Sequence, residues 1–382
     1  MEEYEHGIPL KDVFTAYYEC RKNKRRTNSQ LTFELNLEEN VINLWREINE
    51  RTYEIGTSIC FCITRPKLRE VFAADFRDRV VHHVIMQRLE PLFEEEFIED
   101  TYNCRKGKGV LYGVDRLNDK LNAITENYTK DAYIAKFDIC GFFMAIDKTI
   151  LLPRLITFVE ERYEGEDKEL LLWLIEKVVA HKPQENCERH GDLRLWDRLA
   201  PNKSLFSCGE NKGLPIGNLT SQNFGNFYLN EFDHIMIKEF GKGYGRYVDD
   251  FFVISKDKEK ILQFVPTIRN YLENELRLKL HHDKVYVQEV RHGVKFIGSV
   301  IKQGRKYVGN RTIDNIYKTI RYYNKRINQG NAIPFMQTLN SYLGFMIHSK
   351  SYARRMEVIK SIDEEWWQYM VLDKNKTKVN II

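Results

Sequence analysis

Two adjacent aspartates, Asp249 and Asp250, stand where two apolar runs meet, and a carboxylate pair at such a place can bind a divalent metal. The flanking segment, Gly243 to Ile254, is rich in Tyr, Phe and Val, which predicts two β-strands joined by a tight turn. Successive side chains of an extended segment point to opposite faces, so both carboxylates do not face one metal squarely. We therefore predict Asp249 as the ligand and Asp250 as its support.

A second candidate ligand, Asp138, closes the short β-prone run Tyr133–Ile139. Between the two acidic sites, the glycine-containing segment Gly217–Gln222 opens a helical pattern. Carboxylates from separate strands can hold two divalent ions, which activate an attacking hydroxyl and hold a triphosphate leaving group. A lone pair of aspartates is usually an exposed turn, but three such features in this order predict phosphoryl or nucleotidyl transfer.

Hydrophobic periodicity predicts the elements that position these residues. Helical spacing is found in Arg77–Leu89, Lys148–Val159, Leu170–His181, Asn218–Phe240, Lys258–Leu276 and mainly from Arg311 to the end, where Ile313, Ile316, Tyr317, Ile320 and Ile327 form one stripe. Strands are predicted in Ile63–Phe72, Tyr133–Ile139 and Phe296–Ile301. Asp147 is predicted as a helix N-cap, and the polar segment 182–212 as a loop or insertion. This mixture predicts an α+β fold.

Composition sets further bounds. The 382 residues are 43% hydrophobic, which fits an ordered protein of two or three domains, and no apolar run approaches membrane-spanning length. We expect a cytoplasmic protein without a leader, because the opening residues Met1–His6 are polar. The 7 cysteines are irregularly spaced and are expected to be reduced. A zinc site is disfavoured because its candidate ligands lack a C-x-x-C framework: His181, Cys187, His190 and Cys208.

Positive charge is unevenly distributed although the net charge is only +4. Arg21–Arg26 is one basic run, and Lys302–Gly330 contains many Lys and Arg residues, one acid (Asp314) and several tyrosines. Such a segment suits a phosphate backbone, although a solvated helix face is the alternative.

These motifs resemble those of reverse transcriptases from about Ile63 to Arg355, and in particular those of diversity-generating retroelements. Five segments carry the resemblance to reverse transcriptases: Phe76–His83, Phe137–Asp147, Tyr247–Asp250, Leu280–Lys284 and Phe296–Gly298. Leu339–Gly344 resembles the thumb of the retroelement subgroup. The subgroup interpretation rests on Ile216–Gln222, because most reverse transcriptases have Gln-Gly and Ser-Pro where this chain has Ile216-Gly217 and Ser221-Gln222.

The resemblance implies a right-hand polymerase with a mixed or antiparallel palm sheet flanked by helices and a helical thumb. It places an N-terminal basic extension at 1–40, fingers at 41–125, palm at 126–300 with the insertion at 182–212, and thumb at 301–382. The implied reaction is DNA synthesis on a template RNA from deoxynucleoside triphosphates with two Mg²⁺ ions, or Mn²⁺ in their place, and it is error-prone at template adenines. The implied partners are the template RNA, the cDNA and a basic oligomeric accessory variability protein, in a bacterium or phage.

Residue roles follow from the same resemblance. Asp138, Asp249 and the Ile139 carbonyl would hold the metals. Lys67, Arg69 and Lys284 would hold the triphosphate, and Phe143 would act as a steric gate against ribose; solvated positions for the cations and an ordinary core aromatic for Phe143 are the alternatives. Ile216, Gly217 and Gln222 would set fidelity, because an aliphatic Ile216 offers no polar group to the templating pair. Nucleic-acid backbone contacts are expected from Arg105, Lys106, Lys108, Lys302, Arg305, Lys306, Lys318, Arg321, Lys325 and Arg326; for the loop with Arg105, Lys106 and Lys108, an ordinary turn is the alternative.

Two rival interpretations remain open. One is a group II intron-like or defence-associated reverse transcriptase. Ile216 and Gln222 argue against the group II intron-like enzyme. The other is an idle RNA-binding scaffold on a polymerase fold, which the complete set of Asp138, Asp249 and Asp250 disfavours.

Overall fold

The structure, a computed structural model, describes residues 4–22, 27–64, 67–281 and 285–382. The chain divides into two compact units. The first unit comprises Met1–Arg105, Asp138–Lys238 and Val265–His282, and the second comprises Lys106–Phe137, Glu239–Phe264 and Asp283–Ile382. The finer fingers, palm and thumb boundaries predicted above stay predictions.

Helices and strands alternate irregularly along the chain. In chain order the helices are α1 Leu10–Arg21, α2 Asn28–Leu35, α3 Leu37–Asn49, α4 Phe76–Glu96, α5 Val110–Ile124, α6 Phe142–Ala145, α7 Lys148–Arg162, α8 Lys168–Ala180, α9 Leu219–Tyr228, α10 Asn230–Phe240, α11 Lys258–Asn274, α12 Asn310–Asn324, α13 Gln329–Met346 and α14 Tyr352–Lys360. The strands are β1 Ser58–Ile63, β2 Arg69–Ala73, β3 Tyr133–Asp138, β4 Cys187–His190, β5 Tyr244–Tyr247, β6 Asp250–Ser255, β7 Tyr286–Glu289, β8 Val294–Phe296, β9 Ser299–Lys302, β10 Arg305–Val308, β11 Met370–Leu372 and β12 Val379–Ile381.

The N-terminal helices belong to the core of the first unit. The buried ring of Phe76, at the start of α4, packs against the rings of Tyr17 on α1 and Phe33 on α2 at centroid distances of 6.0 and 5.5 Å. Aromatic pairs at such distances add to the stabilisation that burial gives. The described part of the segment predicted as a basic extension, 1–40, is thus helical and packed, and its assignment as a separate extension stays a prediction.

The first unit contains a three-stranded sheet in the order β2-β1-β4. β1 and β2 are antiparallel, with Ile63 opposite Arg69, so the single strand predicted for Ile63–Phe72 is a hairpin instead. β4 pairs with β1 in parallel and lies inside the segment 182–212. The segment predicted as a loop or insertion therefore contains one strand of the sheet and several 3₁₀ helices, and its assignment as an insertion stays a prediction.

Several helix predictions for the first unit are confirmed. Asp147 caps α7, because its carboxylate accepts the Thr149 backbone N–H, and the same carboxylate binds Arg277 at 2.8 Å. α8 occupies the predicted segment 170–181 almost completely. The pattern Asn218–Phe240 forms two helices, α9 and α10, which are separated at Leu229.

The second unit contains a four-stranded sheet in the order β5-β6-β3-β7. β5 is antiparallel to β6, and β3 is antiparallel to β7. The rings of Phe137 on β3 and Phe251 on β6 stack at 4.8 Å with an interplanar angle of 11°. Because Phe137 is near the end of β3 and Phe251 near the start of β6, these two strand ends are neighbours.

The C-terminal part of the second unit combines a small sheet with three helices. The small sheet has the order β10-β9-β8, and its β8–β9 turn at Ile297 and Gly298 corrects the continuous strand predicted for Phe296–Ile301. The predicted stripe of α12 is confirmed, because its isoleucines pack with Phe335 and Trp366 in one apolar core. The chain end departs from the helical prediction, because β11 and β12 form a hairpin there.

Within the described ranges, none of the helices combines the length and apolar character needed to cross a membrane.

A buried carboxyl group, Asp78, lies in the first turn of α4 and is 2% exposed. It accepts the Tyr53 hydroxyl at 2.7 Å and the Gly56 backbone N–H at 3.1 Å. Burial raises the pKa of Asp78 to about 6, with a smaller rise from the charge of Asp75, while the Tyr53 hydrogen bond and the Arg77 charge act in the opposite direction. The folded protein therefore holds a proton at Asp78 at pH values where an unfolded chain releases it.

We expect the Asp78 contribution to the free energy of unfolding to decrease as pH rises from about 4 to about 6 and to stay constant above that range, because the folded state binds more protons than the unfolded state there. The change is on the order of 3 kcal/mol at most. Urea unfolding of the wild type and of Asp78→Asn across this range measures it. Equal pH slopes in the two proteins would contradict the assignment.

Candidate functional site

The acidic pair lies at a tight hairpin, as predicted. Tyr247 pairs with Asp250 across the hairpin, so Val248 and Asp249 form a two-residue turn while Asp250 is the first residue of β6. Val248 has a φ of 56°, in the left-handed region. A β-branched residue is rarely found there because its side chain crowds the backbone, at a cost of about 1–3 kcal/mol that the surroundings must offset.

A buried arginine, Arg246, contacts this turn. Its side chain is 0% exposed, and its Nη1 donates a hydrogen bond of 2.9 Å to the Val248 carbonyl oxygen. The guanidinium therefore bonds to the backbone that directly precedes Asp249. We did not predict this role from the sequence; the available signal was a single cation in a strand whose neighbours are Tyr and Gly.

The acid at the start of β6 also influences a tyrosine on the same sheet. Burial raises the pKa of Tyr286, on β7, and the negative charge of Asp250 raises it further. Asp250 and Tyr286 are thus within electrostatic reach of each other. The sheet order places β3, which ends at Asp138, between the strands that carry these two residues.

The segment after β3 is fixed by pairing with residues 279–281 in the first unit. The His281 N–H donates to the Asp138 carbonyl and the Cys140 N–H donates to the Lys279 carbonyl, both at 2.8 Å. In the parts of the chain that the structure covers, no backbone N–H donates to the Ile139 carbonyl. That oxygen and the partly exposed Asp138 carboxylate are hard donors of the kind that Mg²⁺ prefers, so the residues present fit a divalent ion.

No group of three or more His, Cys, Asp or Glu side chains suited to a metal is found among residues 4–22, 27–64, 67–281 and 285–382. The four candidate zinc ligands therefore do not form such a group, and the Cys208 thiol instead donates to the Met144 and Ser204 carbonyls.

Phe143 lies on the short helix α6 and is only partly buried. Its ring is 5.3 Å from that of Phe142, and a Cβ atom placed on Gly225 of α9 would lie 3.3 Å from it. The ring thus packs closely on α9 while part of it stays accessible. This arrangement is compatible with the predicted steric gate, which stays a prediction.

Ile216 and Gly217 pack against β2. The Ile216 carbonyl accepts the Phe72 N–H at 2.9 Å, and the Ile216 side chain packs on a cluster of buried residues that we call the Phe72 cluster: Cys60, Phe72, Met144 and Leu205. Gly217 has a φ of 127°, and a Cβ atom there would lie 2.5 Å from the Phe72 carbonyl oxygen. Only glycine fits this approach. On α9, the half-buried Gln222 accepts the Cys104 thiol at 2.7 Å through its side-chain oxygen.

Of the three residues predicted to bind the triphosphate, the structure describes two. Lys67 and Arg69 are exposed at and beside the β1–β2 turn, and no ion pair to either is found within the described ranges. Both side chains are therefore accessible to an anion, which agrees equally with triphosphate binding and with solvated surface positions. Lys284 lies outside the described residues.

The prediction that Arg105 contacts nucleic acid is wrong. Its side chain is buried, and the guanidinium binds both carboxylate oxygens of Glu94 at 2.8–3.1 Å and donates to the Ile98 carbonyl. A guanidinium with these partners stabilises its own loop instead of facing a phosphate. Lys106 is exposed and Lys108 is partly exposed, with its ammonium 5.6 Å from the centre of the Tyr112 ring.

The C-terminal cations are mostly exposed. The exposed members are Lys302, Arg305, Lys318, Arg321, Lys325 and Arg326. Lys306 is partly buried and forms an ion pair with Asp115, and Arg326 stacks on the Tyr322 ring at 4.0 Å. The outer face of α12 therefore presents cations beside aromatic surface.

A fully buried acid, Glu70, is a second residue that we missed. It lies on β2 beside Arg69 and is 0% exposed. Its carboxylate accepts hydrogen bonds from three groups of the segment 196–205. An acid within the otherwise apolar and basic run 69–73 was the signal in the sequence.

Comparison with known proteins gives two matches by sequence. A model of the family described as reverse transcriptase (RNA-dependent DNA polymerase) matches residues 65–301. A protein of Escherichia coli (strain K12), YkfC, is 24% identical over 284 residues, which cover 65% of this chain and 68% of that protein.

Solved structures of telomerases are also similar. Apo telomerase from Candida tropicalis has a TM-score of 0.49 and 10% identity, covering 94% of this chain and 80% of that chain. A form of it truncated from the C-terminal domain has a TM-score of 0.47 and 13% identity, covering 67% of this chain. This chain spans 55% of the length of that truncated form.

Proposed function

We propose, from the premise that this chain belongs to the reverse transcriptase (RNA-dependent DNA polymerase) family, that it synthesises complementary DNA on an RNA template from deoxynucleoside triphosphates. The observation that supports this activity best is the two-residue hairpin turn that presents Asp249, in a sheet whose neighbouring strand ends at Asp138. Both positions fall within the part of the chain that the family model matches.

Asp138, Asp249 and the Ile139 carbonyl would hold divalent ions, with Asp250 in support. When bound, Mg²⁺ ions supply positive charge that favours ionisation of the attacking 3′-hydroxyl and stabilises the leaving pyrophosphate. The chain's own residues orient the reactants: exposed Lys67 and Arg69 would bind the triphosphate, and the partly exposed Phe143 ring would contact the sugar. Such positioning raises the reaction rate because the reactants are already held in the reactive geometry and lose less entropy in reaching the transition state.

Primer extension tests this proposal. The purified protein, an RNA template with an annealed DNA primer, deoxynucleotides and Mg²⁺ should give full-length cDNA, and Mn²⁺ should also support the reaction. Ribonucleotides in place of deoxynucleotides should give little product. If the protein binds the primer-template but extends it with neither metal, the scaffold interpretation replaces this one.

The finer proposal is that the enzyme belongs to a diversity-generating retroelement and misincorporates opposite template adenine. The aliphatic Ile216 side chain supports it, because it packs into the Phe72 cluster and offers no hydrogen-bonding group. A basic accessory variability protein would then assist the reaction. Sequencing of cDNA made with and without that partner should show changes clustered at adenines, and Ile216→Gln should reduce them. Errors spread evenly over all four template bases would refute the subgroup assignment.

The exposed face of α12 should bind the primer-template backbone. We expect Lys318→Glu combined with Arg321→Glu to weaken binding by about 10-fold or more at low salt, because two phosphate contacts become repulsive. The slope of log affinity against log salt should become shallower by about 2. Fluorescence anisotropy across a salt series measures both quantities. The matched control is Lys238→Glu, an exposed lysine on α10; an equal loss in that control would contradict a specific role for α12.

A further inference from the structure

We propose that the segment 187–208 forms one wall of the nucleotide-binding site and that Glu70 is the positioning residue that fastens this wall to the β1–β2 hairpin. This inference rests on the proposed function and deepens it, because neither Glu70 nor the segment belongs to the acidic motifs. Every residue that carries it lies in the first unit.

The anchor is a carboxylate whose donors all come from the wall. One Glu70 oxygen accepts the Trp196 indole N–H at 2.8 Å and the Ser204 hydroxyl at 2.7 Å, and the other accepts the Leu205 backbone N–H at 2.7 Å. Glu70 is 0% exposed, so water cannot replace a hydrogen-bond donor that the carboxylate loses. A buried charge that is satisfied by three donors from one segment holds that segment in a single position.

The negative charge of Glu70 also affects the pKa values of nearby cysteine thiols. Burial, with the negative charge of Glu70 as the second cause, raises the pKa of the Cys208 thiol to about 11. Burial likewise raises the pKa of Cys62, with Glu70 as the second cause. The Cys62 and Cys208 thiols therefore lie within electrostatic reach of Glu70, and their raised pKa values keep them protonated at neutral pH.

The wall contacts the helix that carries Phe143. The Cys208 thiol donates to the Met144 carbonyl at 3.3 Å, and a Cβ atom on Gly141 would lie 2.4 Å from the Asn202 carbonyl oxygen. Just beyond the wall, the Leu214 N–H donates to the Phe143 carbonyl at 2.8 Å. Backbone on both sides of the Phe143 ring is thus held by the wall or by its direct continuation.

The wall contacts the fidelity segment through the same core. Leu205 is a member of the Phe72 cluster, against which Phe143, Phe206 and Ile216 all pack. Glu70 is adjacent to Arg69 and two residues from Phe72 on β2. One anchor therefore fixes the position of the predicted triphosphate ligand, the sugar-contacting ring and the residue beside the templating base.

Glu70→Gln tests the inference, because the amide keeps the size of the side chain but replaces one acceptor oxygen by a donor. We expect the KM for deoxynucleotides to rise about 10-fold, and the preference for deoxy- over ribonucleotides to fall by a similar factor, since a loosened wall orders the pocket less well. The turnover number at saturating nucleotide should change less than about 3-fold. Ser204→Ala, which removes one of the three donors, should shift the KM in the same direction by a smaller factor.

Arg88→Met is the matched control. Arg88 is also buried, and its guanidinium binds Asp167 and Asp12 in the first unit, so its loss destabilises the fold without touching the wall. Its KM and sugar preference should equal those of the wild type. Phe143→Ala provides a second comparison: in that background Glu70→Gln should not lower the sugar preference further, because the ring on which the wall acts is gone.

Hydrogen exchange gives a readout that does not depend on activity. The Leu214 and Gly213 amides, which donate to the Phe143 and Ile146 carbonyls, should exchange faster in Glu70→Gln than in Arg88→Met. An active wild type whose Glu70→Gln variant keeps its KM, sugar preference and exchange rates would overturn the inference. Failure of the proposed function is a different result, because it would be seen as a wild type that extends no primer.

Discussion

Replacing Asp249 by alanine should abolish primer extension, with a loss of about 10³-fold or more, because the variant loses a carboxylate that holds the catalytic ions. Asp138→Ala should have the same effect. Binding of the primer-template should stay within about 3-fold of the wild type, since the phosphate contacts lie elsewhere. Single-nucleotide extension and fluorescence anisotropy measure the two quantities on the same preparations.

The control for this prediction is Asp131→Ala, which removes an exposed acid seven positions before Asp138 and outside β3. It should extend primers at the wild-type rate. Asp250→Ala should reduce extension less than Asp249→Ala, because Asp250 is assigned a supporting role. Appreciable extension by purified Asp249→Ala would refute the assignment of the metal ligand.

Replacing Arg246 by methionine should lower the turnover number by about 100-fold and leave the KM for deoxynucleotides nearly unchanged, because a shift of about 1 Å in a catalytic group has such an effect. Without the Nη1 hydrogen bond, the Val248 carbonyl loses a donor and the strained turn loses one of the contacts that hold it. Steady-state kinetics with varied deoxynucleotide concentrations separates the two parameters.

A second substitution distinguishes positioning of the turn from a general loss of structure. Glycine adopts a positive φ without strain, so Val248→Gly in the Arg246→Met background should recover part of the lost turnover. Val248→Ala, which keeps a Cβ atom, should recover little. Equal behaviour of the two double variants would show that Arg246 acts in another way.

The acidic hairpin and several of the helices were predictable from the sequence because local patterns determine them. Alternation and turn-forming residues predicted β5, β6 and the turn between them, and helical spacing predicted α4, α7, α8 and α11. The α+β right-hand polymerase fold is confirmed by the family match and by the mixture of helices with antiparallel sheets. The order of the acidic and glycine-containing motifs along the chain helped to predict this fold, because that order depends on the whole fold and not on a single element.

Contacts between distant parts of the chain were not predictable. Nothing local to Glu70 indicates that Trp196, Ser204 and Leu205 bind it, and a polar segment such as 182–212 gives no periodic signal. Arg105 was misassigned for a related reason, because charge alone does not distinguish a cation that faces solvent from one that is paired with an acid such as Glu94.

The pairing of β4 with β1 has a consequence for biosynthesis. The hydrogen bond between Thr57 and Asn186, at the start of this pairing, joins residues 129 positions apart, so the edge of β1 and the Glu70 carboxylate emerge from the ribosome long before their partners. Contacts of such long sequence separation form slowly. We therefore expect nascent chains that stop before β4 to be sensitive to proteolysis and to engage chaperones at this hairpin, and resistance to appear only once translation has passed Leu205.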